Sequence, residues 1–317
     1  MSNWYKGNIH THTTKSDGDA DPEFVVNWYK DHQYDFLVLS DHNHRTILDH
    51  EVEGGPLMIP GEEVSARIQN GTIPIHINGI GITRLVEAYE GDEIVDTIQR
   101  NVNAILDAGG IASINHPNYQ WAFDHTHISQ VDGASMVEVY NGSPVTNNEG
   151  GPEKFTGEEI WDGVLSAGKP IFGVATDDSH NYFDFAHDKL NPGRGWVVVK
   201  ADELSQSAIV DGLASGEFYA STGIALTDLE FTVKKISLSI EQYAQCLYRT
   251  VFSGPDGKIF AEKDGLEVEY DILGDEGYVR ATAYSSLGVK AWTQPAFIGN
   301  QLSKGESPND RDQLVQG

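Results

Sequence analysis

The sequence predicts an α/β domain followed by a smaller, antiparallel β domain. Three observations carry this. Through the first two-thirds of the chain, short apolar runs alternate with stretches of helical periodicity, the pattern of strands interleaved with helices. From about Leu226 the helical stretches stop and strand-like runs follow one another, with a turn signal at Pro255–Gly257. Finally, 317 residues with 39% hydrophobic and 10% aromatic content can build the core of one large domain and a small one. The expected division is 1–225 for the α/β part, 226–300 for a β-sandwich-like part, and 301–317 for a polar tail.

The elements follow in order. "WYKGNI" reads as the first strand, and "DPEFVVNWYKDHQ" as a helix opened by an Asp cap and a proline in its first turn. "DFLVLS", "PLMIP" and "TIPIHINGI" read as strands. "GDEIVDTIQRNVNAILDAGG" places Ile94, Ile98, Val102, Ile105 and Leu106 on one helical face, with glycines at its exit. "GIASIN", "SMVEVY", "PIFGVAT" and "GWVVV" are further strands, separated by helices in "GEEIWDGVLSAGK" and "DELSQSAIVDGLASGE". Beyond Leu226, "FTVKKISLSI", "YRTVFSG", "KIFAEK", "LEVEYDI", "YVRATAYSS" and "KAWTQPAFI" complete the β part.

Composition narrows the function. A net charge of −27, from 48 acids and 21 bases, repels phosphate backbones and argues against binding nucleic-acid duplexes. Cys246 is the sole cysteine, so neither a disulfide framework nor a sulfur-rich zinc site is expected. No apolar run reaches membrane-spanning length, and the first residues lack a signal peptide's hydrophobic region. The expectation is a soluble, cytoplasmic protein acting on a small molecule; its oligomeric state is not legible.

The informative pattern is positional. Strand-like runs lead into His10 and His12, His42, Glu62 and Glu63, His116, and Asp177, Asp178 and His180; another contains His76, and Asp17 follows the first pair in a Ser-Asp-Gly turn. Residues i and i+2 of a strand share a face, so His10 and His12 aim at one point. In a barrel of parallel strands the carboxyl ends gather around one axis. Each residue alone has a plain reading as a turn, core or surface side chain. Together they form a sulfur-free donor set suited to Zn²⁺, Mn²⁺ or Fe²⁺, too large for one ion, so two or three are expected.

The motifs "HTH…SDG", "SDHN", "PGEEVS", "NHP" and "DDSH" resemble those of the PHP (polymerase and histidinol phosphatase) metal-dependent phosphoesterases over residues 5–225. "YKGNIHTHTT", "GRGWVVV", "FYASTG" and "AWTQPAFI" resemble its carbaryl hydrolase-like subgroup. The resemblance implies a distorted (β/α)₇ barrel with a di- or trinuclear centre. It makes His10, His12, Asp17, His42, Glu63, His76, His116, Asp178 and His180 the metal ligands. Glu63 is preferred because Glu62 should face away by strand alternation, and Asp178 because it keeps the family spacing. Asp41, Asn115 and Asn141 are expected to orient ligands.

The implied reaction is hydrolysis of a small-molecule phosphoester by a metal-activated hydroxide. Asp178 is the candidate proton acceptor, and Arg194, just before a strand, the candidate phosphate contact. One rival is a carboxylic ester, carbamate or amide hydrolase with the same metal centre. Another is a non-catalytic metal-binding module, against which the gap-free donor set argues.

Overall fold

A computed structural model describes residues 3–232 and 234–298; the polar tail expected at 301–317 lies outside them. The α/β part contains strands β1 (Asn3–Asn8), β2 (Phe36–Leu37), β3 (Leu57–Met58), β4 (Gly61–Ile68), β5 (Ile73–Ile80), β6 (Ile111–Ile114), β7 (Ala134–Asn141), β8 (Phe172–Thr176), β9 (Trp196–Ala201) and β10 (Phe218–Ser221). Its helices are α1 (Pro22–Asp31), α2 (Ile94–Asp107), α3 (His125–Ile128), α4 (Gly157–Ser166) and α5 (Gln206–Ser215). The remainder contributes β11 (Leu226–Phe231), β12 (Lys235–Ile240), β13 (Tyr248–Gly254), β14 (Lys258–Asp264), β15 (Glu267–Asp271), β16 (Tyr278–Ser285), β17 (Lys290–Thr293) and β18 (Ala296–Phe297).

Among the described residues, each helix other than α2 starts at a side-chain cap, whereas α2 begins at Glu93 without one. Asp21 accepts from the Phe24 amide with Pro22 in the first turn of α1. Thr156 and Glu159 form a reciprocal capping box on α4, and Ser205 caps α5. Each helix then turns its apolar stripe inward. On α2, Ile98, Val102 and Ile105 are fully buried, whereas Leu106 at its flank is 39% exposed.

The strands depart from the (β/α)₇ barrel that the family resemblance implies. Among the described residues no sheet closes on itself. β4 to β8 form one five-stranded sheet, while β3, β2, β1, β9 and β10 run on through β17, β16 and β13 to β14 in a second sheet. The reason is local. Gln69, Asn70 and Gly71, all at positive φ, turn the chain back within a few residues. β5 therefore runs back antiparallel to β4 with no helix between them, and β6, reached through α2, pairs antiparallel with β5 as well. Two single parallel bridges, Thr11 to Ser179 and His42 to Glu63, join the two sheets.

The second sheet also crosses the expected 225/226 boundary, because β10 pairs with both β9 and β17. β11, β12 and β15 form a third sheet. It packs on the β13–β16 region around Leu229, Ile236, Leu238, Phe252, Val279 and Ala281, all buried. No helix among the described residues is long and apolar enough to cross a membrane.

Candidate metal centre

The donors converge where the two bridges join the sheets. Four overlapping groups of side chains each bring their ligand atoms within 4.8 Å of one another: His12, Asp17, His42 and His180; His10, His116 and Asp178; His10, His12 and Glu63; His42, Glu63 and His76. These are the nine residues expected from the sequence. Not all come from strand ends, however. Glu63 sits near the start of β4, and His76 lies in the middle of antiparallel β5, paired with Ser65.

Glu63 occupies the centre. Its Oε1 lies 3.3 Å from His10 Nε2, 3.2 Å from His76 Nδ1 and 3.3 Å from His116 Nε2. Its Oε2 lies 3.5 Å from His12 Nε2 and 2.7 Å from His42 Nδ1. The carboxylate thus offers one oxygen to each half of the cluster. Asn115 Nδ2 donates to Oε1 at 2.8 Å and fixes the orientation. Asp178 Oδ1 stands 3.1 Å from His10 Nε2 and 3.2 Å from His12 Nε2, while Asn141 Nδ2 donates to Oδ2. His116 and Asp178 both have positive φ, a backbone state that costs about 1–3 kcal/mol for such residues and concentrates at functional sites.

The ring nitrogens are sorted by hydrogen bonds. His180 Nδ1 donates to its neighbour's carbonyl, Asp178 O, at 2.9 Å, which leaves Nε2 as the lone-pair atom facing Asp17 at 3.2 Å. His10 Nδ1 donates to Glu138 at 2.6 Å and so presents Nε2 to the cluster. Glu138, 2% exposed, also accepts from the His116 amide, Asn141 and Thr176. The sequence reading missed it. An acid inside the apolar run "SMVEVY" was the available signal, since a buried carboxylate needs partners.

The nearby carboxylates separate by environment. Glu62 points away from the cluster and accepts from the Val86 amide at 2.6 Å. Asp177 accepts from Tyr29 and from the Arg194 and Gly195 amides, so it braces the loop before β9. Asp41 holds the turn carrying Asp17 through Thr13 and Ser16. The phosphate contact expected of Arg194 does not fit its placement. Its guanidinium donates to the carbonyls of Gly142 and Ala186, and the side chain is absent from the cavity lining.

Does this donor set fit a metal? His10 Nε2, His12 Nε2, His76 Nδ1 and Glu63 Oε2 are buried without hydrogen-bond partners. Glu63, Glu138 and Asp178 are buried, and among the described residues their ion-pair partners are histidines, with no lysine or arginine. Burial works against charge on Glu63, yet His42, His76 and His10 hold it well below the usual carboxylate range. Burial, with His180 alongside, pushes His12 down to about 4, so its imidazole is neutral at physiological pH. Burial likewise lowers His76. Against their burial, His10, His42, His116 and His180 are raised by the surrounding carboxylates. The buried carboxylates draw positive charge to this point, which a metal ion can supply in place of imidazole protons. The residues fit a metal.

No family model and no curated protein matches the sequence. Among solved structures, a two-domain protein from Bacteroides vulgatus, described as containing a PHP-like metal-dependent phosphoesterase, superposes with a TM-score of 0.54. The identity is 16%, over 92% of this chain and 95% of that one. The chain shares that protein's fold. An amidohydrolase from Chromobacterium violaceum matches at 17% identity and TM-score 0.41, over 59% of this chain and 93% of its own. A protein from Bifidobacterium adolescentis, described as a metal-dependent phosphoesterase, matches at 15% identity and TM-score 0.40, over 58% of this chain and 89% of its own.

Proposed function

We propose that the chain is a metal-dependent hydrolase of small-molecule phosphoesters. The observation that carries this reading is the convergence of nine His, Asp and Glu side chains, with the Glu63 carboxylate at their centre, beside a cavity of about 220 Å³. His10, His12, Asp17, His42, Glu63, His76, His116, Asp178 and His180 would hold two or three divalent ions. Charge supports that number. Two divalent ions offset the carboxylates of Asp17, Glu63, Glu138 and Asp178, and a third leaves the site positive toward an anionic substrate.

Bound ions would lower the pKa of a coordinated water and screen charge developing on the phosphoryl oxygens. The chain's own groups orient and move protons. Glu63, fixed by Asn115, sets the separation between the two halves of the donor set. Asp178, steadied by Asn141, is ionised because the neighbouring histidines outweigh its burial, and it lines the cavity. It is therefore the acceptor for the proton of the attacking water.

The test is metal analysis combined with a substrate panel. Protein supplemented with Zn²⁺, Mn²⁺ or Fe²⁺ should retain more than one equivalent and hydrolyse phosphomonoesters or phosphodiesters. Efficient turnover of carbamates or carboxylic esters without phosphoesterase activity would replace this reading with the one implied by the carbaryl hydrolase-like resemblance. Stoichiometric metal with no turnover of any class would favour a binding module.

A further inference from the structure

Beyond the metal donors, the cavity is lined by Arg67, Tyr119, Ser143, Val145 and Leu190. The polar members all offer donors: a guanidinium, a phenol and a hydroxyl. Ser143 is 2% exposed and its Oγ has no hydrogen-bond partner. This wall is made to meet acceptors on a substrate.

Arg67 is the unusual member. It lies on β4 on the same face as Glu63 and Ser65, since strand side chains alternate. Its position is fixed by register. Ser65 faces His76 across the ladder and Arg67 faces Pro74, so Arg67 lies outward of the donors, toward the hairpin turn. Its guanidinium donates to Gly71 O at 3.1 Å, leaning away from Glu63. Four residues of strand place the two Cα positions about 13 Å apart. Among the described residues it has no ion-pair partner, although the chain carries 48 acids against 21 bases. A cation left unpaired in so acidic a chain, at the outer end of the cavity, is available to a ligand.

Building on the phosphoesterase reading, we infer that the substrate carries a second acidic group, remote from the scissile one, and that Arg67 binds it. The group is a carboxylate or a second phosphate, because either matches the guanidinium fork. The span between Arg67 and the metal donors then measures the substrate, and Arg67 selects two-headed molecules over one-headed ones.

The experiment is calorimetric titration of the metal-loaded protein with hexylphosphonate, 6-phosphonohexanoate and hexane-1,6-bisphosphonate. Wild type should bind at least one two-headed ligand about ten- to hundredfold more tightly than hexylphosphonate, the range of a charge-assisted contact. The ligand that gains identifies carboxylate or phosphate. In Arg67→Ala and in Arg67→Gln, which keeps an amide donor for Gly71 but no charge, that ratio should fall toward one. Melting curves establish that the variants are folded. A ratio near one in wild type, or the same ratio in wild type and both variants, overturns the inference. Because the readout is binding, it stands apart from turnover. Absence of phosphoester hydrolysis would remove the proposed reaction while leaving this ratio to be read.

Discussion

Glu62 and Glu63 are neighbours in sequence and opposites in environment. Glu63 faces histidines and is held ionised; burial pushes the Glu62 carboxyl, which meets only the Val86 amide, up to about 7. Glu63→Gln should remove most bound metal and activity, measured by elemental analysis and turnover, whereas Glu62→Gln should keep both. Glu62 also gives a pH signature. Its folded-state pKa lies above the ordinary value of 4.5, so the folded state binds the extra proton between these values, and stability declines as pH rises from about 4.5 to 7. Relative to wild type, Glu62→Gln should melt higher at pH 8 than at pH 5; a constant difference would contradict the assignment. Glu138 acts through His10, and Glu138→Gln should weaken metal affinity about ten- to hundredfold, read by competition with a chelator. The alternation of β4 made the Glu62–Glu63 choice legible in sequence. Glu138 and Arg67 were not, because a donor's role through another residue, or at a cavity's far wall, depends on register and side-chain reach.

At the scale of elements, the start of α1 was legible because its cap is local chemistry, Asp21 satisfying the Phe24 amide within its own turn. Thr156 and Ser205 cap α4 and α5 in the same way, but the sequence reading did not pick them out, starting the α5 stretch at Asp202. Sheet membership was not legible. The four central residues of "DFLVLS" are all apolar, yet only Phe36 and Leu37 form a ladder, because pairing depends on distant partners. The β4–β5 hairpin is the main departure, and it is what carries His76 to the centre and Arg67 to the rim. Its tightest point is Gly61, where an added Cβ would stand 2.4 Å from Val38 Cγ1 and 2.8 Å from Gly79 O. Gly61→Ala should therefore cost about 1–3 kcal/mol through overpacking. Because Glu63 follows two residues later, denaturant unfolding and metal content should fall together. A destabilised variant with full metal content would show that the strain is absorbed elsewhere.

Across the whole molecule, a buried charge network fastens the two parts. Arg280, 3% exposed, donates to Glu158 at 2.8 Å, approaches Asp162 at 3.8 Å and stacks over Trp161 at 4.8 Å. It reaches from β16 to α4. Burial opposes charge on Glu158, but Arg280 and its hydrogen bonds hold the carboxyl below its ordinary value. Arg280→Ala would strand the half-buried Glu158 and the buried Asp162 carboxylates and should cost up to about 3–5 kcal/mol in denaturant unfolding, the range for a fully buried pair. Pairing Arg280→Met with Glu158→Gln should recover much of that loss; no recovery would mean the stacking on Trp161 dominates.

The pairing of β1 with β9 has a consequence in time. Gly7 meets Val197, about 190 residues later, and Thr11 meets Ser179 across 168 positions. At a synthesis rate of about 5–20 residues per second, β1 waits roughly ten to forty seconds for its partner. During that interval His10, His12 and Asp17 exist as a nascent peptide without Asp178 or His180. Such a fragment has only a few loosely held donors, so tight metal capture belongs to the end of folding, when the last donors arrive.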